Sequence, residues 1–137
     1  YEYFDNLYNH HYNNTNVSIL EKISKINNLI SEHEKEIANP ILNYLDSRED
    51  LNLIGKNKIT DKNRAPTISF YSNKKSSREI SNNLHKYKIA TRNDNFYAWR
   101  CLNHLGIDTD DGVVRLSMTH YNNKQDTENV LSALEKI

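Results

Sequence analysis

PTISFYSNKKSSREI, residues 66–80, changes its hydrophobic period halfway along, and that change decides the fold class. Over residues 66–71, Ile68 and Phe70 alternate with Thr67, Ser69 and Tyr71, the period of two expected of a strand with one covered face. Ser76 with Glu79 then forms a capping-box pattern, and the helix it opens carries Ile80, Leu84 and Tyr87 on its inner face. A strand feeding directly into a helix is thereby set up.

Upstream, Val17, Leu20, Ile23, Ile26, Ile30, Ile37, Ile41 and Leu45 recur at three-or-four spacing, which predicts an amphipathic helix over residues 17–45. Thr15 or Asn16 is expected to cap it. Asn39-Pro40 removes a backbone hydrogen bond near its last turns and is expected to kink or split it. The opening YEYFDNLYNHHYNN reads as a polar, aromatic lead-in, and the chain begins at Tyr1 without an initiator Met, so the expectation is that it is cut from something longer. Residues 51–55 read as a short strand and 56–64 as a polar connection.

Downstream, residues 88–92 read as a short strand, 97–105 as a short helix and 113–118 (VVRLSM) as a strand, with a turn at 108–112. Asn123 is expected to cap a terminal helix bearing Val130, Leu131, Leu134 and Ile137. Helices on one face of a small, mostly antiparallel sheet satisfy this order, so the fold class is α+β. Residues 1–50 read as a leading helical region and 51–137 as an α+β small domain, the whole forming one compact unit.

Composition removes several function classes. Lys plus Arg and Asp plus Glu both number 18, so no charge excess advertises nucleic acid or an anionic membrane. No apolar run approaches the roughly 18 residues of a membrane span, and no signal peptide opens the chain. One cysteine, Cys101, makes no disulfide framework and no metal-knuckle spacing, and a cytoplasmic location is the default. Neither a glycine-rich phosphate cradle nor a pair of metal ligands is present.

The chemistry-bearing candidates lie in the second half. Arg115 stands inside a strand between Val114 and Leu116, which should point the other way, and Arg92 follows another strand. A guanidinium fork binds a carboxylate through two parallel hydrogen bonds, as an amino-acid site requires; the competing reading is a sheet arginine paired with an Asp or Glu. His120, with an unperturbed pKa of about 6.5, suits a general base, although a turn or cap residue is the blander reading. Tyr121 and Asn122 carry the same choice. Asn93-Asp94-Asn95 signals a turn, and Phe96, Tyr97 and Trp99 after it read most simply as core or interface packing. Cys101, beside Leu102 and Leu105 in a helical pattern, reads as a buried inert thiol.

Taken together, RAPTISFY (residues 64–71), IATRNDNFYAWRCLNHLGI (89–107) and GVVRLSMTHYNN (112–123) resemble the C-terminal small domain of a class V aminotransferase, in its cysteine-desulfurase-like branch. The order of strand, Ser-x-x-Glu helix, Arg-bearing loop, short helix, Val-Arg strand and Tyr-Asn turn is similar throughout, and the long leading helix resembles the one joining the two domains. The resemblance implies a pyridoxal phosphate enzyme of fold type I, dimeric as the full-length protein, acting on a small amino-acid substrate. Arg115 would fall on the arginine that binds the substrate α-carboxylate and Arg92 on the arginine of the active-site loop. Asn95, Tyr97 and His120 would belong to, or lie near, that loop. The cofactor would be held as a Schiff base on a lysine of the large domain, with an aspartate and a histidine positioning its ring, so no catalytic residue is assigned to this chain. Two departures count. Tyr97 stands where desulfurases of this family carry the sulfur-accepting cysteine, Cys101 falling four residues later, and Asp94-Asn95 replaces the usual Gly-His. A lyase or transaminase-like reaction is therefore expected over desulfuration. The contrasting expectation is a stand-alone, non-catalytic binding module that uses the Tyr-rich start and the aromatic cluster as its patch.

Overall fold

The computed structural model describes residues 2–13, 16–60 and 64–137. In chain order the elements are α1 (Glu2–His11), α2 (Ile19–Ser47), β1 (Leu51–Ile54), β2 (Thr67–Ser72), α3 (Ser77–Lys86), β3 (Arg92–Asp94), α4 (Trp99–His104), β4 (Val113–Ser117) and α5 (Lys124–Leu134). The four strands form one sheet in the order β1-β2-β4-β3, every pair antiparallel, which gives the α+β class.

Strand periodicity divides the sheet into two faces. Leu53, Phe70 and Val114 stand in register across β1, β2 and β4 and belong to the main core, with Ile68 and Leu116 beside them. α2 covers this face with Ile37, Ile41, Leu42 and Leu45, α3 with Ile80 and Leu84, and α5 with Val130, Ala133 and Leu134. The buried Thr127 hydroxyl donates to the Ile37 carbonyl at 2.9 Å and fixes α5 on α2. On the opposite face a smaller cluster of Leu102, Ile107 and Val113, joined by Ile54, Tyr71 and Phe96, packs the short α4 against one end of the sheet.

Caps mark the helix ends. Asn123 opens α5 with a reciprocal capping box to Asp126, and the Ser76 hydroxyl accepts from the Glu79 amide at 3.1 Å to open α3. α2 is capped by Ser18, which accepts from the Glu21 amide at 3.2 Å, rather than by Asn16; Thr15 lies outside the described residues. α2 also runs unbroken through Pro40. Pro40 removes the donor for the Glu36 carbonyl, and both residues lie on the exposed side, where the carbonyl is open to solvent. The neighbouring Asn39 has a different task. Its side-chain amide donates to the Ile59 carbonyl at 3.1 Å and accepts from the Ile59 amide at 2.8 Å, which plants Ile59 in the core. At the end of α2, Arg48 donates to Asp50 at 2.8 and 2.9 Å and to the Tyr44 hydroxyl at 2.6 Å.

Four sequence expectations about the extent and facing of elements need correction. The opening segment is a helix, α1, not a lead-in: Tyr8 is fully buried and stacks on Tyr12, and Asp5 pairs with Lys22 of α2. Tyr87 is not on the inner face of α3, and the strand expected at 88–92 begins only at Arg92. Both shifts have one cause. α3 ends in a Schellman motif, the Lys88 amide donating to the His85 carbonyl at 2.9 Å and the Ile89 amide to Leu84 at 3.1 Å, with Lys88 left-handed at φ +62°. That turn swings Tyr87 out to solvent and uses up the residues that the strand pattern had claimed. Likewise the helix expected at 97–105 starts at Trp99, because Phe96 and Tyr97 are left-handed, at φ +51° and +61°.

Candidate active-site face

On the less covered face, Ile54, Ser69, Arg115 and Arg92 are successive partners across the sheet: Ile54 opposes Ser69, Ser69 opposes Arg115, and Arg115 opposes Arg92. Directly opposed residues of antiparallel strands project to the same side, with Cβ atoms about 4.5–5.5 Å apart. The two arginines therefore leave the sheet side by side, a pairing that is unfavourable for like charges unless an anion shares them. Val114 and Leu116 point into the main core, as expected, so Arg115 is held on this face by the burial of its neighbours. Among the described residues neither arginine forms an ion pair, so the competing reading of a sheet arginine paired with an Asp or Glu finds no partner among them. The recorded partner of Arg115 is the Phe96 ring, whose centroid lies 4.1 Å from the guanidinium carbon.

The loop from β3 to α4 frames this pair. Asn95 is its organiser: its amide donates to its neighbour Asp94 Oδ1 at 2.7 Å, its Nδ2 to the Thr109 carbonyl at 3.3 Å, and its Oδ1 accepts from the Tyr97 amide at 3.1 Å. Its carbonyl also accepts from the Ala98 amide at 2.8 Å. Tyr97 leaves the loop fully exposed (105%), and Trp99 is half exposed. Of the core or interface packing expected for these rings, Phe96 shows the first by joining the smaller cluster, whereas Tyr97 and Trp99 stay outside the core. Cys101 is likewise exposed and free, because the six-residue α4 turns only Leu102 fully inward.

The loop is clamped from below. Gly112 is left-handed at φ +67°, and a Cβ there would lie 2.3 Å from the Asp94 carbonyl carbon and 2.7 Å from the Asn95 nitrogen. Only glycine lets the Asp94-Asn95 backbone pass so close. From the other side the Asp111 carboxylate accepts from the Ser77 amide at 2.8 and 3.0 Å, and the buried Ser77 hydroxyl donates to the Gly112 carbonyl at 3.2 Å. The N-terminus of α3 thus fixes the start of β4, and β4 fixes the loop.

Of the residues singled out from sequence, Arg92, Arg115, Asn95 and Tyr97 share this region. His120 does not join them through any recorded contact. It lies on the α1–α2 side, its Nε2 2.5 Å from the Tyr3 hydroxyl, beside a cavity of about 260 Å³ lined with Leu7, His11, Leu29, Ile30 and His33. Burial pushes the nearby Glu34 carboxyl upward, His120 and His33 pulling it back. Asn122 is a turn residue: its Oδ1 accepts from the Thr119 amide at 2.9 Å, its Nδ2 donates to Asp126 at 3.2 Å, and its carbonyl accepts from His33 at 2.7 Å. Tyr121 is largely exposed. Sequence reading missed the parts played by Phe96 and Gly112. The available signal was two non-glycine aromatics directly after an Asn-Asp-Asn turn, with a lone glycine just ahead of the arginine strand.

Known proteins share this fold. The chain is 29% identical over 109 residues to the aminotransferase-like protein FGM3 of Gibberella zeae, a match covering 79% of this chain and 27% of that protein, so it spans about a quarter of that relative's length. The cysteine desulfurase of Thermococcus onnurineus superposes with a TM-score of 0.69 at 24% identity, over 84% of this chain and 28% of that one. The cysteine desulfurase CsdA of Escherichia coli gives 0.64 at 21% identity, over 77% and 24%. These two likenesses establish a shared fold. The family model of the class-V aminotransferases matches residues 16–130, most of the chain, from the capping end of α2 to the middle of α5, and the chain belongs to that family.

Proposed function

We propose that this chain acts as the small domain of a longer, cytoplasmic, homodimeric pyridoxal phosphate enzyme and that Arg115, assisted by Arg92, binds the α-carboxylate of an amino-acid substrate. The observation that carries the reading is the pair itself: two arginines opposed across β3 and β4, on one face, without a salt bridge to an acidic side chain among the described residues. A carboxylate placed between them relieves their mutual repulsion and accepts charge-assisted hydrogen bonds from both. Members of the family use pyridoxal phosphate, which supplies the electron sink for chemistry at the amino-acid α-carbon.

The described residues of this chain do not fit the anchoring of that cofactor. No described lysine is buried, as a Schiff-base lysine must be, and no described cluster forms a phosphate cradle. The cofactor is therefore assigned to the remainder of the enzyme, and this chain's contribution is orientation: a carboxylate held at Arg115 fixes the α-carbon relative to the reacting centre. Tyr97, exposed where desulfurases of the family carry cysteine, supports a lyase or transaminase-like reaction over persulfide formation, and its ring is proposed to face the substrate from the loop that Asn95 organises.

The test is Arg115→Ala in the complete enzyme, with consumption of a panel of L-amino acids as the readout. A lost bidentate contact lowers kcat/KM by roughly 2–4 kcal/mol in transition-state terms, and Arg92→Ala by less. Unchanged turnover of every accepted amino acid in Arg115→Ala would sink the assignment.

A further inference from the structure

Resting on the carboxylate-binding reading of Arg115, we infer that Phe96 is a positioning residue for that arginine, an aromatic floor that holds the guanidinium in place while leaving its hydrogen-bonding edge free for the ligand. The guanidinium carbon lies 4.1 Å from the Phe96 ring centroid. An Asp or Glu in the same place would also fix Arg115, but it would occupy the N–H donors and cancel the charge that a substrate carboxylate needs. A phenyl ring attracts the cation through its quadrupole and takes no lone-pair hydrogen bond. Phe96 is suited to bear the load. One part of it packs with Leu102, Ile107 and Val113, so the ring is backed by the smaller core and is not a loose side chain meeting another.

The backbone supports the same conclusion. Phe96 takes up a left-handed conformation at φ +51°, unfavourable for a residue with a Cβ, and the loop keeps it there through the Asn95 hydrogen bonds and the close passage over Gly112. A left-handed turn at this point is cheapest with glycine or asparagine. An aromatic residue there, with its ring under the arginine, places the loop's strain where it orders the cation.

The experiment uses the full 137-residue chain and acetate as the probe, with chloride at equal ionic strength as the control. Nuclear magnetic resonance follows the Arg115 Nε–H signal, assigned by its disappearance in Arg115→Lys. In the parent that signal shows an upfield ring-current shift and moves saturably with acetate and not with chloride. Phe96→Leu and Phe96→Met, both close in size to the parent, remove the ring-current shift and weaken acetate binding roughly 3- to 10-fold, while Phe96→Trp restores both. A role in packing alone would leave the acetate affinity of every folded variant unchanged and would need no aromatic rescue. Parent-like affinity in a folded Leu or Met variant overturns the proposal and leaves the carboxylate reading intact. Failure of acetate to move the parent signal overturns the carboxylate reading itself, and the role of Phe96 with it.

Discussion

On one face of the sheet, Leu53, Phe70 and Val114 stand in a row sealed beneath α2, α3 and α5; one residue further along each strand, on the other face, the row runs Ile54, Ser69, Arg115 and Arg92. Three strands contribute to both rows and β3 extends the second, so the contrast is one of side chains and not of backbone. The sealed face gains stability from apolar area removed from water. The other ends in two cations that repel each other and a loop with two consecutive left-handed aromatics. A sheet stabilised from one side is free to spend the other on ligand chemistry, and the second face should therefore contribute little to folding and much to function.

That division can be broken or sharpened by substitution. The largest effect is expected on the sealed face: Phe70→Ala, at a fully buried site, should lower the unfolding free energy by about 3–5 kcal/mol in urea titration. A loss under 1 kcal/mol would mean that the helices do not seal the sheet as described. Next comes Gly112→Ala, where both the backbone conformation and the overlap with Asp94 oppose a Cβ; a loss of about 2–4 kcal/mol is expected by the same titration. On the arginine face the sign reverses. Tyr97→Gly relaxes a left-handed residue whose ring is wholly exposed, and should stabilise the chain by up to about 1 kcal/mol while impairing turnover in the complete enzyme. Arg92→Ala should leave thermal stability within about 0.5 kcal/mol of the parent, or slightly raise it by relieving repulsion with Arg115.

The smallest expected effect is electrostatic and belongs to neither face. Hydrogen bonding from Arg48 holds the Asp50 carboxyl below its ordinary value. For a carboxyl lowered in the folded state, the stabilisation is present above the unfolded pKa of about 3.9 and is lost as pH falls through the folded value. Arg48→Gln should therefore lower stability slightly above that pH, near neutrality included, and flatten the acid limb because little is left to lose there; the pair is only part-buried, so the difference is small.

The two faces also differed in how far they could be read in advance. The sealed face announced itself through local signals: the alternation around Ile68 and Phe70, the Ser76 and Asn123 caps, and the apolar spacing along α2 are all short-range patterns. The arginine face depends on long-range facts. That Arg92 opposes Arg115 follows from strand order and register, which the 22 intervening residues of sequence do not display. Two features actively misled. Lys88 holds the left-handed position of a Schellman motif where glycine would have flagged the helix end, and Phe96 and Tyr97 hold left-handed positions normally betrayed by glycine or asparagine. The helix α1 was concealed for another reason: its anchorage lies in Tyr8 and in the pairing of Asp5 with Lys22, not in an apolar stripe. Arg115 was legible by type and strand position, because a guanidinium between Val114 and Leu116 already demands a purpose, whereas its ring partner was not.

Asn39, finally, has a bearing on how sequences of this kind diverge. By accepting from the Ile59 amide and donating to its carbonyl, one side chain imitates a strand partner and ends one half of the β1–β2 crossing before the other begins. Insertions and deletions between Ile59 and Pro66 are then absorbed locally, without shifting Leu53 against Phe70, so this crossing is where length variation among homologues should accumulate. Asn39 itself should drift only together with the residue it brackets, a coupled pair in an otherwise permissive stretch.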